Sequence, residues 1–199
     1  MTKETIYDSE GYMSRIIEVQ RNLVHRIKKY DMDLYAHSNN VAFISFDIGM
    51  KMGFSLSKLD DLIVSAFLHD IGKTCISPNL WKKESPLTED EIYQMKQHPY
   101  LGTELCEKKG IKTAILAAIF FHHERENGSG YPKGISSKSI PQMAKIIAVA
   151  DSYSAMIENR FYNEPISKEK AKEEIIKNSG ILYDVSVVQA FKKCEVNHI

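Results

Sequence analysis

Apolar residues recur at helical spacing along almost the whole chain, and no segment alternates apolar and polar residues long enough to form a half-buried strand. That pattern predicts an all-α fold. Met13, Ile16, Ile17, Leu23, Val24 and Ile27 mark one amphipathic helix, with a break near 30–33. Val41, Ile44, Ile48 and Met52 mark a second, closed by Gly53. Leu59, Leu62, Ile63, Ala66 and Phe67 line a third, which runs directly into His69 and Asp70. A proline-containing connection over 74–87 follows, holding the only tryptophan, Trp81. Thr88 and Glu91 have capping-box spacing for a short helix that ends before Pro99; Pro99 can open the next helix, and Gly110 close it. The most apolar helix, 111–121, delivers His122 and His123 at its end, and Pro141 opens a further helix carrying Asp151 and Met156. Ser167 and Asp184 are expected N-caps of two last helices, the first closed by Gly180.

With 199 residues and 43% hydrophobic content, the chain is long enough to build one core without disulfides or a structural metal. It contains no long linker, repeat or low-complexity stretch, so it reads as one compact unit. We divide it into a lead-in helix over 1–34, a main domain over 35–194 and a tail over 195–199. Cys75, Cys106 and Cys194 are odd in number and widely spaced, which predicts reduced packing residues and a cytoplasmic location. Neither a signal peptide nor a membrane span is expected, since the longest apolar run is 114–121. Lys and Arg together number 26, as do Asp and Glu, so long nucleic acids and membranes are poor partners for the chain as a whole. An anionic substrate would need a concentrated local site.

Seven histidines are the compositional oddity, and five of them, His37, His69, His98, His122 and His123, are expected where helices begin or end. Asp70 follows the apolar run from Ile63 to Leu68, and Asp151 closes the run Ile146-Ile-Ala-Val-Ala. A carboxylate in such surroundings is paired or bound to a cation, because an isolated buried charge is strongly disfavoured. Adjacent residues on a helix project about 100° apart, so His69 with Asp70, or His122 with His123, suit a cluster of ions better than one chelated ion. An imidazole-rich, thiolate-free set favours iron, manganese, zinc, cobalt or nickel over calcium or magnesium. Two such ions about 4 Å apart polarise a phosphoryl group and supply a bridging hydroxide for in-line attack. The reaction class this pattern suggests is phosphoester hydrolysis.

His69-Asp70-Ile-Gly-Lys73, His98-Pro-Tyr-Leu-Gly102, His122-His-Glu-Arg-Glu-Asn-Gly-Ser-Gly-Tyr-Pro-Lys-Gly134 and Ala148-Val-Ala-Asp151 resemble the successive motifs of the HD-GYP domains, a branch of the HD phosphohydrolase superfamily. The resemblance spans roughly 35–191. It implies a single-domain helical bundle of the HD type and a bacterial phosphodiesterase that hydrolyses cyclic di-GMP to linear pGpG or onward to GMP. It also implies an iron or manganese cluster of two ions, or three. By position the implied metal ligands are His37, His69, Asp70, His98, His122, His123 and Asp151. Asp33 falls where three-metal members carry a glutamate, and its shorter carboxylate leaves a third ion as open as a solvated helix start.

Lys73 matches the family's catalytic lysine, although a charge meeting the helix dipole would occupy the same place. Tyr131 and Gly130 of the GYP loop, and Arg160, match substrate-contacting positions, and Glu124 and Arg125 are expected to orient the ligands. The chain departs from the family at Glu126 and Asn127, at Ser154 in place of a frequent aspartate, and at Asn163. These departures bear on substrate affinity and base preference. His25 and His198 are expected on the surface. No receiver, PAS or GGDEF segment is expected within these residues, so a GGDEF or receiver partner would act in trans. Two other readings remain: an HD phosphohydrolase acting on another nucleotide, and a cyclic dinucleotide sensor or docking module without turnover.

Overall fold

The computed structural model describes residues 21–83, 85–158 and 165–195. A helix over 21–30 (α1) is followed by α2 (Met32–Lys51) and α3 (Leu56–Leu68), then a 3-10 turn over Ile71–Cys75 and the single turn α4 (Pro78–Trp81). The short α5 (Glu89–Met95) leads into α6 (His98–Glu107) and α7 (Thr113–Phe121); α8 (Gln142–Ile157), α9 (Lys168–Lys177) and α10 (Val185–Phe191) complete the chain. No strand occurs among the described residues, only an isolated bridge between Ser179 and Tyr183. None of the helices is long and apolar enough to cross a membrane among the described residues.

Local signals set the helix ends. The Thr88–Glu91 capping box closes in both directions: Glu91 N–H donates to Thr88 Oγ1 (3.3 Å) and Thr88 N–H to Glu91 Oε2 (2.7 Å). Ser167 caps α9 and Asp184 caps α10, while Gly53, Gly110 and Gly180 follow helix ends at positive φ, as expected. Three expectations shift. The break near 30–33 narrows to Asp31, whose Oδ1 accepts from Leu34 N–H (2.8 Å), so α2 is continuous across the 34/35 division. Leu23, Val24 and Ile27 of α1 also join the same buried core as α2. The apolar helix begins at Thr113 rather than at Ile111, because Lys112 takes the extended N-cap conformation. Cys106 and Cys194 are buried, but Cys75 is exposed and is not a packing residue.

α3 packs on α2 and α7, and α8 packs on α2, α7, α9 and α10. Leu59, Leu62, Phe67, Ile44, Ile48, Ile119, Ile147 and Tyr153 are among the fully buried side chains. Burying a leucine or phenylalanine contributes roughly 1.5–3 kcal/mol, so this core fixes where the helices end. The ends matter most at one contact. A Cβ on Gly72 would lie 2.0 Å from the carbonyl oxygen of His98 and 2.6 Å from the Gly102 nitrogen. Glycine there lets the 3-10 turn after Asp70 abut the start of α6, which carries His98 up to the end of α3.

Candidate metal centre

Three histidines are held by one backbone device. His69, at the end of α3, places Nδ1 2.7 Å from Ala66 O; His122, at the end of α7, places Nδ1 2.6 Å from Ile119 O; His98, opening α6, places Nδ1 2.8 Å from Met95 O. A carbonyl can only accept, so Nδ1 carries the hydrogen and, in the neutral ring, Nε2 carries a lone pair. The acceptor lies three residues upstream each time, one of the carbonyls that a helix end leaves without an intrahelical donor.

The freed nitrogens converge. His98 Nε2 lies 3.3 Å from His122 Nε2, 3.1 Å from His123 Nε2 and 3.2 Å from Asp70 Oδ1. Across Asp70, its Oδ2 is 3.3 Å from His69 Nε2 and 3.8 Å from His37 Nε2. Asp151 Oδ1 stands 3.1 Å from His37 Nε2 and 3.8 Å from His69 Nε2. Two donor sets result, Asp70 with His98, His122 and His123, and Asp70 with His37 and His69, each within 4.8 Å. His69 Nε2 and Asp70 Oδ1 are buried with no hydrogen-bond partner. Lone pairs facing one another in a buried site repel unless a cation lies among them, so the residues present fit divalent metal ions. Asp70, common to both sets, is placed to bridge.

The electrostatics keep these groups in ligand form. Burial, reinforced by neighbouring histidines, holds His122 and His123 well below the usual imidazole range. Burial would raise Asp70 and Asp151, but Lys73 and His69 outweigh it at Asp70, and His37 with His69 at Asp151, so both carboxyls lie well below their ordinary value. Neutral imidazoles and ionised carboxylates are the forms that bind metals. A pH dependence follows for the metal-free protein. A histidine depressed on folding binds its proton more readily when unfolded, so stability falls as pH drops below about 6.5, by up to about 1.4 kcal/mol per pH unit for each of the two histidines. The depressed carboxylates weaken the fold only further into acid, below about 4. Urea unfolding of chelator-treated protein between pH 7 and 5 is expected to show the histidine loss; a flat profile would contradict it.

A cavity of about 500 Å3 opens on His98 and His123 and is walled by Lys73, Lys83, Met95 and Tyr131. The Tyr131 ring stacks on His123 with centroids 4.5 Å apart. Its loop is pinned from below: a Cβ on Gly130 would fall 2.4 Å from His123 O and 2.5 Å from Glu124 Cα, so only glycine permits this approach. Buried Glu124 accepts from Lys133 N–H (2.7 Å) and Gly134 N–H (3.1 Å) through Oε1. Arg125 donates from Nη1 to the carbonyls of His122 and Glu124. Both residues thus shape the backbone around His122 and His123, through hydrogen bonds that end on main-chain groups rather than on imidazole nitrogens.

The HD-domain family profile matches residues 15–187. The chain belongs to the HD-domain family. This HD domain is 35% identical over 196 residues to a cyclic di-GMP phosphodiesterase of Thermotoga maritima, covering 97% of this chain and 52% of the relative. It is 40% identical over 149 residues to a probable cyclic di-GMP phosphodiesterase of Vibrio cholerae, covering 71% and 34%. Its fold is similar to that of a HDG“Y”P protein from Bdellovibrio bacteriovorus, with a TM-score of 0.65, 25% identity and coverage of 79% and 51%. The chain spans about half the length, or less, of the curated relatives it matches. With the HHE and GYP motifs, these matches place it in the HD-GYP branch.

The HD domain gathers seven of the expected ligand residues: His37, His69, His98, His122 and His123 around Asp70, and Asp151 beside His37 and His69. Lys73 joins them from the 3-10 turn, its Nζ 2.5 Å from Asp70 Oδ2. His37 lies inside α2, in its second turn, rather than at a helix end. Asp33 is exposed in the first turn of α2 and lies outside both donor sets; the buried acid at this helix start is Asp31, paired with Lys82. Arg160, Asn163 and His198 lie outside the described residues, and His25 is exposed as expected. Glu126 is paired with Lys145 (3.0 Å), which also reaches Asp184 (2.9 Å), so this departure ties the loop to α8 and α10. Sequence reasoning missed Glu158, whose Oε2 lies 2.9 Å from His37 Nδ1. It follows Asp151 by seven residues and Ser154 by four, a same-face spacing that was the available signal.

Proposed function

We propose that this HD domain is a divalent-metal-dependent phosphodiesterase that hydrolyses a 3′–5′ bond of cyclic di-GMP to give linear pGpG, with GMP as a further product. The observation that carries this reading is the convergence of histidine Nε2 atoms on Asp70 beside a cavity bearing Lys73 and Tyr131. His37, His69 and Asp151 on one side, and His98, His122 and His123 on the other, would hold two ions with Asp70 between them. Iron or manganese suits this nitrogen-rich set. Bound divalent ions supply Lewis acidity towards a phosphoryl oxygen and towards water.

The chain's own residues supply the rest. The Lys73 ammonium, beside Asp70 and on the cavity wall, offers a positive charge where negative charge grows on phosphorus oxygens or on the leaving oxygen. Tyr131 offers an aromatic face for a base; its phenol is pushed up by burial and stays neutral, a hydrogen-bond donor to phosphate. Gly130 keeps that loop close to His123. Arg160 is a candidate for the second phosphate, and a GGDEF or receiver protein in trans is the candidate regulator, in a cytoplasmic setting.

The test is to purify the protein without oxygen, measure bound iron and manganese, and follow cyclic di-GMP, 3′3′-cGAMP and cyclic di-AMP by chromatography, with and without a chelator. Metal-dependent appearance of pGpG, fastest from cyclic di-GMP, is the expected result. Metal-replete protein that binds the dinucleotide and never cleaves it would make the chain a sensor instead.

A further inference from the structure

We infer that Glu158 is a positioning residue of the metal centre, which fixes the ring of His37 through Nδ1 and thereby sets the affinity of the His37 half of the centre for its cation. The cation's role rests on the metal-dependent reading above; the contact does not.

Among the described candidate ligands His37 is held differently from His69, His98 and His122. His69, His98 and His122 lean on backbone carbonyls, whereas His37 Nδ1 meets a carboxylate oxygen at 2.9 Å. That carboxylate is itself fixed: Oε1 accepts from Asn40 Nδ2 (2.9 Å) and Ser154 Oγ (2.5 Å). Asn40 follows His37 by one helical turn on α2, and Ser154 lies between Asp151 and Glu158 on α8. α8 therefore supplies a candidate ligand, Asp151, and its C-cap residue Glu158 the support for the histidine opposite it. With Nδ1 engaged by Glu158, Nε2 is the nitrogen aimed at Asp151 and Asp70. His37 sits within α2, in its second turn, where the upstream backbone carbonyls take part in helix bonds, so a side-chain acceptor takes the place that helix ends provide elsewhere. An anionic acceptor on the far nitrogen raises the basicity of a ligating imidazole and fixes its tautomer, and loss of such a partner typically costs 10–100-fold in metal affinity.

The experiment measures Mn2+ affinity on the full chain by chelator competition, with thermal unfolding of the metal-free protein alongside. Glu158→Ala is expected to weaken one of two Mn2+ sites by about 10–100-fold while the other is unchanged, and Glu158→Gln, which keeps an acceptor without the charge, to fall between. Asn40→Ala, which removes a helix-to-helix tie but leaves the carboxylate with Ser154 Oγ still holding Oε1, is expected to cost far less affinity than Glu158→Ala. Unchanged Mn2+ binding in both Glu158 variants would overturn the inference, as would an equal loss in Asn40→Ala, which would mark the cluster as a mere tie between α2 and α8. Wild-type protein that binds no Mn2+ or Fe2+ would remove this inference together with the proposed function. Wild-type protein that binds two ions but cleaves nothing would remove the proposed function alone.

Discussion

Replacing Asp70 with alanine is expected to abolish binding of both cations and to lower phosphodiester turnover by 10³-fold or more, a loss of at least about 4 kcal/mol in transition-state stabilisation. No other described residue belongs to both donor sets. Its two oxygens lie on opposite sides, Oδ1 toward His98 and Oδ2 toward His69 and His37, so one substitution removes a ligand from each side. The histidines left behind bring no negative charge to offset two dications, and Asp151 faces only the His37 and His69 side. Asp70→Asn keeps the shape and one acceptor oxygen and is expected to retain part of the metal at much reduced activity. Metal analysis and product chromatography on both variants, with circular dichroism to verify helicity, check this. Full activity in Asp70→Ala would refute the proposed mechanism.

Much of this site was legible in the sequence because its residues sit at the ends of strongly apolar helices. α3 and α7 bury their interiors, and whatever follows Leu68 and Phe121 is carried to the core's edge, so His69, Asp70, His122 and His123 could be placed together before any coordinates. The capping box at Thr88 and the caps at Ser167 and Asp184 were local, and local chemistry decides such ends. The misplaced features depend on distant contacts. Glu158 meets His37 across 121 positions; its spacing from Asp151 hints at a shared face, but nothing in the sequence names His37 as its partner. The sequence leaves Asp33 open between a third-ion ligand and a solvated helix start, and only the fold shows that Asp31 takes the buried capping position while Asp33 is exposed. Gly72 reads as part of a motif; only the structure shows that its missing side chain makes room for the backbone of His98. Cys75 was assigned to the core by residue type, yet it lies at the exposed end of the 3-10 turn, where Arg26 approaches its sulfur.

Lys73→Met is expected to lower kcat by about 10²–10³-fold, comparable to removing one preorganised donor from an oxyanion site, while leaving metal content near that of the wild type. The chain has no net charge to attract a dinucleotide bearing two phosphates, so cations placed within the site must supply the attraction. Lys73 adjoins both the candidate metal centre and the cavity; Lys83 also lines the cavity but is held by both oxygens of Glu91. The 3-10 turn that carries Lys73 starts at Asp70 and is locked against α6 by Gly72, so the ammonium is held near its place of action before substrate arrives. That preorganisation separates two roles that the sequence left open. If Lys73 served only to neutralise Asp70 or to meet a helix dipole, methionine would relieve repulsion against incoming cations, metal affinity would rise and kcat would hold. If it acts on the phosphoryl group, metal binding is preserved, KM changes little and kcat collapses. Parallel measurement of Mn2+ affinity, KM and kcat on the same Lys73→Met preparation distinguishes them, because the two roles move metal affinity and kcat in different directions.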